Sequence, residues 1–199
     1  MIKVAVCGGI GSGKSTVCRM FAERGAVLYD SDSRAKALMN ESAELREALI
    51  AEFGTECYEG GVLNRPYLAS KVFGSEEQLA KLNSIVHPAV KADFLAWVEH
   101  QESDYCILES AILFESGFDA LVDKTVAVLA PQSLRVERAM KRDGATKEQV
   151  EARIKAQMSD DELMARCDFA VVNIHLEDVE KDVAELMYRF RGYIDEKSR

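Results

Sequence analysis

The chain is short of several things, and each shortage narrows what it can be. No apolar run approaches the ~20 residues that cross a bilayer, so no membrane span is expected. No cleavable signal pattern precedes the first strand-like run. The five cysteines, Cys7, Cys18, Cys57, Cys106 and Cys167, lack metal-ligand spacing. Most lie in apolar strand or helix contexts, where a thiol behaves as a small hydrophobe, and a reducing cytoplasm is the expected compartment. Basic charge is short as well: 25 Lys and Arg face 34 Asp and Glu, for a net charge of −9. That balance argues against broad nucleic-acid binding, which needs a basic face. Neither an internal repeat nor a low-complexity segment occurs, and no motif points to a protein partner.

What is present is a chain of 199 residues, 48% hydrophobic, which suits one α/β domain with room for a small insertion. Its most informative stretch is Gly8-Gly9-Ile10-Gly11-Ser12-Gly13-Lys14-Ser15-Thr16, directly after the apolar run Ile2–Cys7. It satisfies the phosphate-loop pattern G-x-x-x-x-G-K-[ST] between a strand signal and a helix signal. Glycines let the backbone wrap a phosphate chain with its N–H groups inward, and the helix opening near Lys14 adds its positive dipole end. Lys14 then reaches the outer phosphates, and the Ser15 hydroxyl serves Mg²⁺. A nucleoside triphosphate is the expected ligand. Such a ligand needs local positive charge, and residues 133–155 supply it through Arg135, Arg138, Lys141, Arg142, Lys147, Arg153 and Lys155.

Short apolar runs alternate with helical stretches. Strands are expected at Ile2–Cys7, 26–29, Tyr105–Glu109, 125–130 and Phe169–Val172. That rhythm predicts a parallel sheet covered on both faces, with ligands at the carboxyl ends of the strands. The interval from Ser33 to Glu102 is too long for one crossover and reads as almost wholly helical. Pro66 and Pro88 there suit first-turn helix positions. A last helix over 176–196 buries Val179, Val183, Leu186 and Phe190.

A phosphate loop leaves open what happens to the triphosphate: a switch GTPase, a motor ATPase and a small-molecule kinase all remain. The last strand runs into Val172-Asn173-Ile174-His175, without the N-K-x-D guanine reader of a switch. For a kinase, Asp32 at the end of Tyr29-Asp30-Ser31-Asp32 is the candidate base, although Ser31 or Asp32 would equally cap a helix. Glu109 ends the third strand where an acid of the Mg²⁺ shell is placed. Arg138 and Arg142, one turn apart, form a candidate cover over the transferring group. His87 reads as a packing residue, and His100 and His175 as surface residues.

Together these motifs resemble the dephospho-CoA kinase family from Ile2 to about Asn173. The resemblance rests on the paired leading glycines of the loop, Asp30-Ser31-Asp32, and Gly61-Val62-Leu63-Asn64-Arg65. It continues through Leu68, Val72-Phe73, Leu82, His87-Pro88 and Ile112-Leu113-Phe114-Glu115. Arg142-Asp143, Arg153, Gln157 and Asp168 complete it. It implies a three-layer P-loop kinase fold with a five-stranded parallel sheet. A core of 1–30 and 103–199 would carry a helical CoA-binding insertion at about 31–102 and a lid at about 133–160. It also implies transfer of the ATP γ-phosphoryl group to the ribose 3′-hydroxyl of dephospho-CoA. Gly9, Gly11, Ser12, Gly13, Lys14, Ser15 and Thr16 would hold ATP, and Asp32 would activate the hydroxyl. Arg138 and Arg142 would clamp phosphates, Arg65 and His87 would shape the acceptor site, and Glu109 with Ser15 would serve Mg²⁺. The chain departs from the family pattern at Glu109 and Ala111, where aspartate and proline are usual, and at Ile174, where a glycine often follows the asparagine.

Overall fold

The computed structural model describes residues 1–197. In chain order, β1 (Ile2–Cys7), α1 (Lys14–Ala22) and β2 (Val27–Asp30) come first. α2 (Ser31–Glu41), α3 (Ala43–Phe53), β3 (Tyr58–Glu59), β4 (Val62–Leu63), α4 (Arg65–Val72) and α5 (Glu76–Glu99) follow. The chain then makes β5 (Tyr105–Glu109), β6 (Lys124–Leu129), α6 (Gln132–Asp143), α7 (Lys147–Lys155), α8 (Asp160–Arg166), β7 (Phe169–Val172) and α9 (Leu176–Lys197). It forms two compact units: Met1–Asp30 with Gln101–Arg199, and Ser31–His100. No helix among the described residues is long and apolar enough to cross a membrane.

The first unit is built on a five-stranded, all-parallel sheet in the order β2-β5-β1-β6-β7. β1 is central and buried nearly throughout, as an apolar run broken only by Lys3 requires of a strand covered on both faces. Successive side chains alternate between faces. Ile2, Val4 and Val6 point into the main core, where Phe21 of α1 and Val183 and Phe190 of α9 are fully buried. Cys7 points to the other face, where its sulfur lies 3.4 Å from that of Cys167, just beyond α8. Asp168 closes the lower end of this face by accepting bonds from the Thr125 amide and hydroxyl, both at 2.8 Å. β2 begins and ends one residue later than the sequence suggests, because Asp30 still pairs in register with Glu109.

The Ser31–His100 unit is mostly helical, with two departures from expectation. Residues 58–63 form a small antiparallel hairpin, Tyr58 opposite Leu63, closed by Gly60-Gly61. A two-residue turn with positive φ at both positions is the geometry that hairpin twist favours, and glycine adopts it freely. The expectation that Pro88 opens a helix is overturned: it lies inside the continuous 24-residue α5, whose cap is Ser75. Proline there removes one backbone bond to Ser84. Pro88 is exposed and Val86, Val90 and Phe94 are buried, so packing carries the helix past the break.

Candidate active site

The loop 8–13 leaves the carboxyl end of the central strand and turns directly into α1. Gly13 sits at the helix N-cap with φ of 94°, a left-handed conformation that a side chain would strain. A Cβ there would also overlap the amide of Asn173. Among the described residues no side chain caps α1, so the positive end of its dipole is presented to whatever the loop encloses. Lys14 Nζ donates to the carbonyls of Gly8, at 2.9 Å, and Gly9, at 3.4 Å, which draws the ammonium back over the loop.

Ser15 Oγ donates to Glu109 Oε1 at 2.7 Å. The register explains the meeting: Glu109 lies beside Val6 on one side and Asp30 on the other, so its carboxylate stands at the sheet edge from which the loop rises. The Cys18 thiol also bonds to Glu109. Burial first, and then the charge of that carboxylate, push the thiol pKa well up, so it stays a neutral donor. A hydroxyl and a carboxylate are hard oxygen donors, the set a Mg²⁺ ion accepts alongside phosphate oxygens and water.

On the far side of the loop, buried Asn173 donates through Nδ2 to the Ser12 carbonyl at 2.8 Å, and its own amide bonds to Leu129 at 2.7 Å. Arg138 Nη1 donates to the Asn173 carbonyl at 3.1 Å and lies 3.8 Å from where a Gly13 Cβ would sit. Arg138 is therefore brought to the loop. Arg142, one turn later, is brought elsewhere: its guanidinium is exposed and forks onto Asp143 at 2.7 and 3.0 Å. Arg153 joins the same carboxylate at 3.2 Å. The Arg142 hydrogen bond chiefly holds the Asp143 carboxyl below its ordinary range.

Within the helical unit, Asp32 occupies the exposed first turn of α2. Arg65 opens α4, capped by Asn64, and lines a cavity of about 240 Å³. Lys36 is its second cation, and Met39, Leu63, Leu68 and Leu82 supply most of an apolar wall. His87 is not among the lining residues. It is half-buried on α5, where burial and then Lys91 lower its imidazole pKa, keeping the ring neutral. The sequence marks Arg135 only as part of the basic run of residues 133–155, yet it is the most deeply buried cation among the described residues and touches the loop directly. Gln157 also meets the loop, at Ile10. Neither contact has a local sequence signal.

Comparison with known proteins places these features in a wider set. The family model described as dephospho-CoA kinase matches residues 2–178. A dephospho-CoA kinase from Porphyromonas gingivalis is 46% identical over 174 residues, covering 87% of this chain and 86% of its own length. One from Salinibacter ruber is 42% identical over 197 residues, covering 96% and 99% respectively. A solved structure from Thermus thermophilus superposes with a TM-score of 0.84 at 34% identity, over 94% of this chain and 97% of that one.

Proposed function

The chain belongs to the dephospho-CoA kinase family, and from that premise we propose how its residues divide the work. It is an ATP-dependent kinase that phosphorylates the ribose 3′-hydroxyl of dephospho-CoA, completing coenzyme A biosynthesis. Gly9, Gly11, Ser12, Gly13, Lys14, Ser15 and Thr16 hold the triphosphate, mainly through loop amides and the Lys14 ammonium. Ser15 and Glu109 hold Mg²⁺, which when bound neutralises charge on the phosphate oxygens. The Glu109 carboxylate accepts from the Ser15 hydroxyl, and that 2.7 Å contact is the observation that carries the assignment.

Asp32 accepts the proton of the acceptor hydroxyl as it attacks. Arg138 steadies the outer phosphates, and Arg142 joins it on leaving Asp143. Residues 31–102 bind the acceptor, and residues 133–160 act as the lid. The cavity between α2 and α4 supports this division. An apolar wall beneath Lys36 and Arg65 suits a guest with an uncharged stem and an anionic end, the character of a pantetheine arm joined to a diphosphate. His87, partly buried on α5, shapes the acceptor site without lining the cavity. A reducing cytoplasm suits the five free cysteines.

Catalysis of this kind consists of positioning and charge neutralisation, because phosphoryl transfer asks little covalent work of the protein. An acceptor panel tests the reading. ADP formation from Mg·ATP is expected with dephospho-CoA and not with shikimate, gluconate or nucleosides. Equal turnover with one of those alcohols would reassign the substrate.

A further inference from the structure

Ile10 lies at the tip of the phosphate loop, at a position the motif leaves unspecified, yet segment 132–160 takes hold of it in three ways. Its N–H donates to Gln157 Oε1 at 2.8 Å. Its carbonyl accepts from Arg135 Nε at 3.0 Å. Its side chain packs against the buried cluster of Val136, Ala139 and Val150. Arg135 is only 4% exposed, and its Nη1 pairs with Asp160 Oδ1 at 2.7 Å. A Cβ on Gly9 would overlap the Arg135 guanidinium, and one on Gly11 would overlap the Arg135 carbonyl, so the glycines admit α6 against the loop. This cation is therefore committed to loop backbone and to Asp160.

We propose that Arg135 and Gln157 are positioning residues of the phosphate loop, acting through the two peptide planes that flank Ile10. A trans peptide points its N–H opposite to its C=O. With the Ile10 carbonyl held by Arg135, the Gly11 N–H is aimed away from α6. With the Ile10 N–H held by Gln157, the preceding plane is fixed too. Asp160 keeps the buried guanidinium compensated while it does this. The proposal rests on residues 8–16 being the triphosphate site.

The test is equilibrium titration with a non-hydrolysable ATP analogue plus Mg²⁺, together with steady-state kinetics, on the unmodified chain, Arg135→Met, Gln157→Met and the double variant. Each single change is expected to weaken the analogue and raise the KM for ATP about tenfold. At saturating ATP, kcat and the KM for dephospho-CoA should move by less than about threefold. Because both residues fix one segment, the double variant should fall well short of the ~100-fold loss expected of independent sites. Arg135→Lys separates positioning from simple burial of charge: it can pair with Asp160 but lacks the fork that also reaches Ile10. It should fold normally and still bind the analogue weakly. Should Arg135→Met not fold, Gln157→Met and Arg135→Lys decide the matter. Unchanged affinity in those two variants, with effects confined to Tm, would overturn the proposal. Failure of the unmodified chain to bind the analogue would overturn the loop assignment beneath it, and the proposal with it.

Discussion

Around the phosphate loop, several polar partners arrive from far along the chain, whereas in the helical unit Ser31–His100 most of them are close neighbours. Gln157 and Arg135 reach Ile10 across 147 and 125 residues, and Glu109 reaches Ser15 across 94. In the helical unit Ser42 caps Leu45, Asn64 caps Tyr67 and Ser75 caps Gln78. The longer-range exceptions there include the bidentate Arg34–Asp93 pair, Tyr58 to the Met39 carbonyl and the Leu63 amide to Asn40. Local caps define where helices begin. Distant bonds define the posture of a loop that has no regular structure of its own. One unit thus fixes the backbone of a loop, and the other presents side chains around an apolar cavity.

The largest expected effect tests whether the helical unit contributes chemistry as well as binding. Asp32→Asn should retain ATP binding and lose about 10²–10⁴ in turnover, the range for removal of a general base. Undiminished kcat in that variant would confine the helical unit to holding the acceptor. Next, Glu109→Ala should weaken Mg²⁺ about 10–100-fold, as loss of a metal-orienting carboxylate does. The readout is the Mg²⁺ concentration for half-maximal rate, with the KM for dephospho-CoA unmoved. If that concentration stays put, the Ser15–Glu109 contact merely braces the sheet edge.

Two smaller effects sharpen the contrast through stability. Asp93→Ala removes both bonds from Arg34 and should cost about 1–2 kcal/mol in denaturant unfolding, discounted for partial exposure. The KM for ATP should not change, because the phosphate loop lies in the other unit. Asp168→Ala should cost about 1 kcal/mol at neutral pH through loss of the Thr125 bonds. Burial alone would raise the Asp168 pKa, but the Thr125 hydroxyl and amide and the Lys124 ammonium together hold it below its ordinary value. Its folded pKa is thus below the unfolded value of about 3.9, so its contribution is complete above that pH and disappears as pH falls through the folded value. The difference between the parent and the variant should shrink in acid. A difference that widened in acid would mean the carboxyl is protonated in the folded chain.

The sheet was legible because fully covered strands are written as near-continuous apolar runs, and β1 and β5 read that way apart from Lys3 and the terminal Glu109. The loop was legible because its glycines and Lys14-Ser15 are contiguous, and Glu109 because it closes an apolar run. Other features follow from tertiary context. The β3–β4 hairpin is too short to show any period. Pro88 obeys a local rule that Val90 and Phe94 override by burying the opposite face of α5. Arg135 and Arg142 look alike in one basic run, yet one is locked beneath the loop and the other forks onto Asp143 at the surface. Only the fold distinguishes them.

Phosphorus NMR of the products formed from Mg·ATP and dephospho-CoA addresses the central claim most directly. One ADP and one new ribose 3′-phosphomonoester should appear per turnover, with formation of both suppressed in Lys14→Ala. Release of inorganic phosphate with dephospho-CoA left unchanged would contradict a loop built to deliver its phosphoryl group to an alcohol.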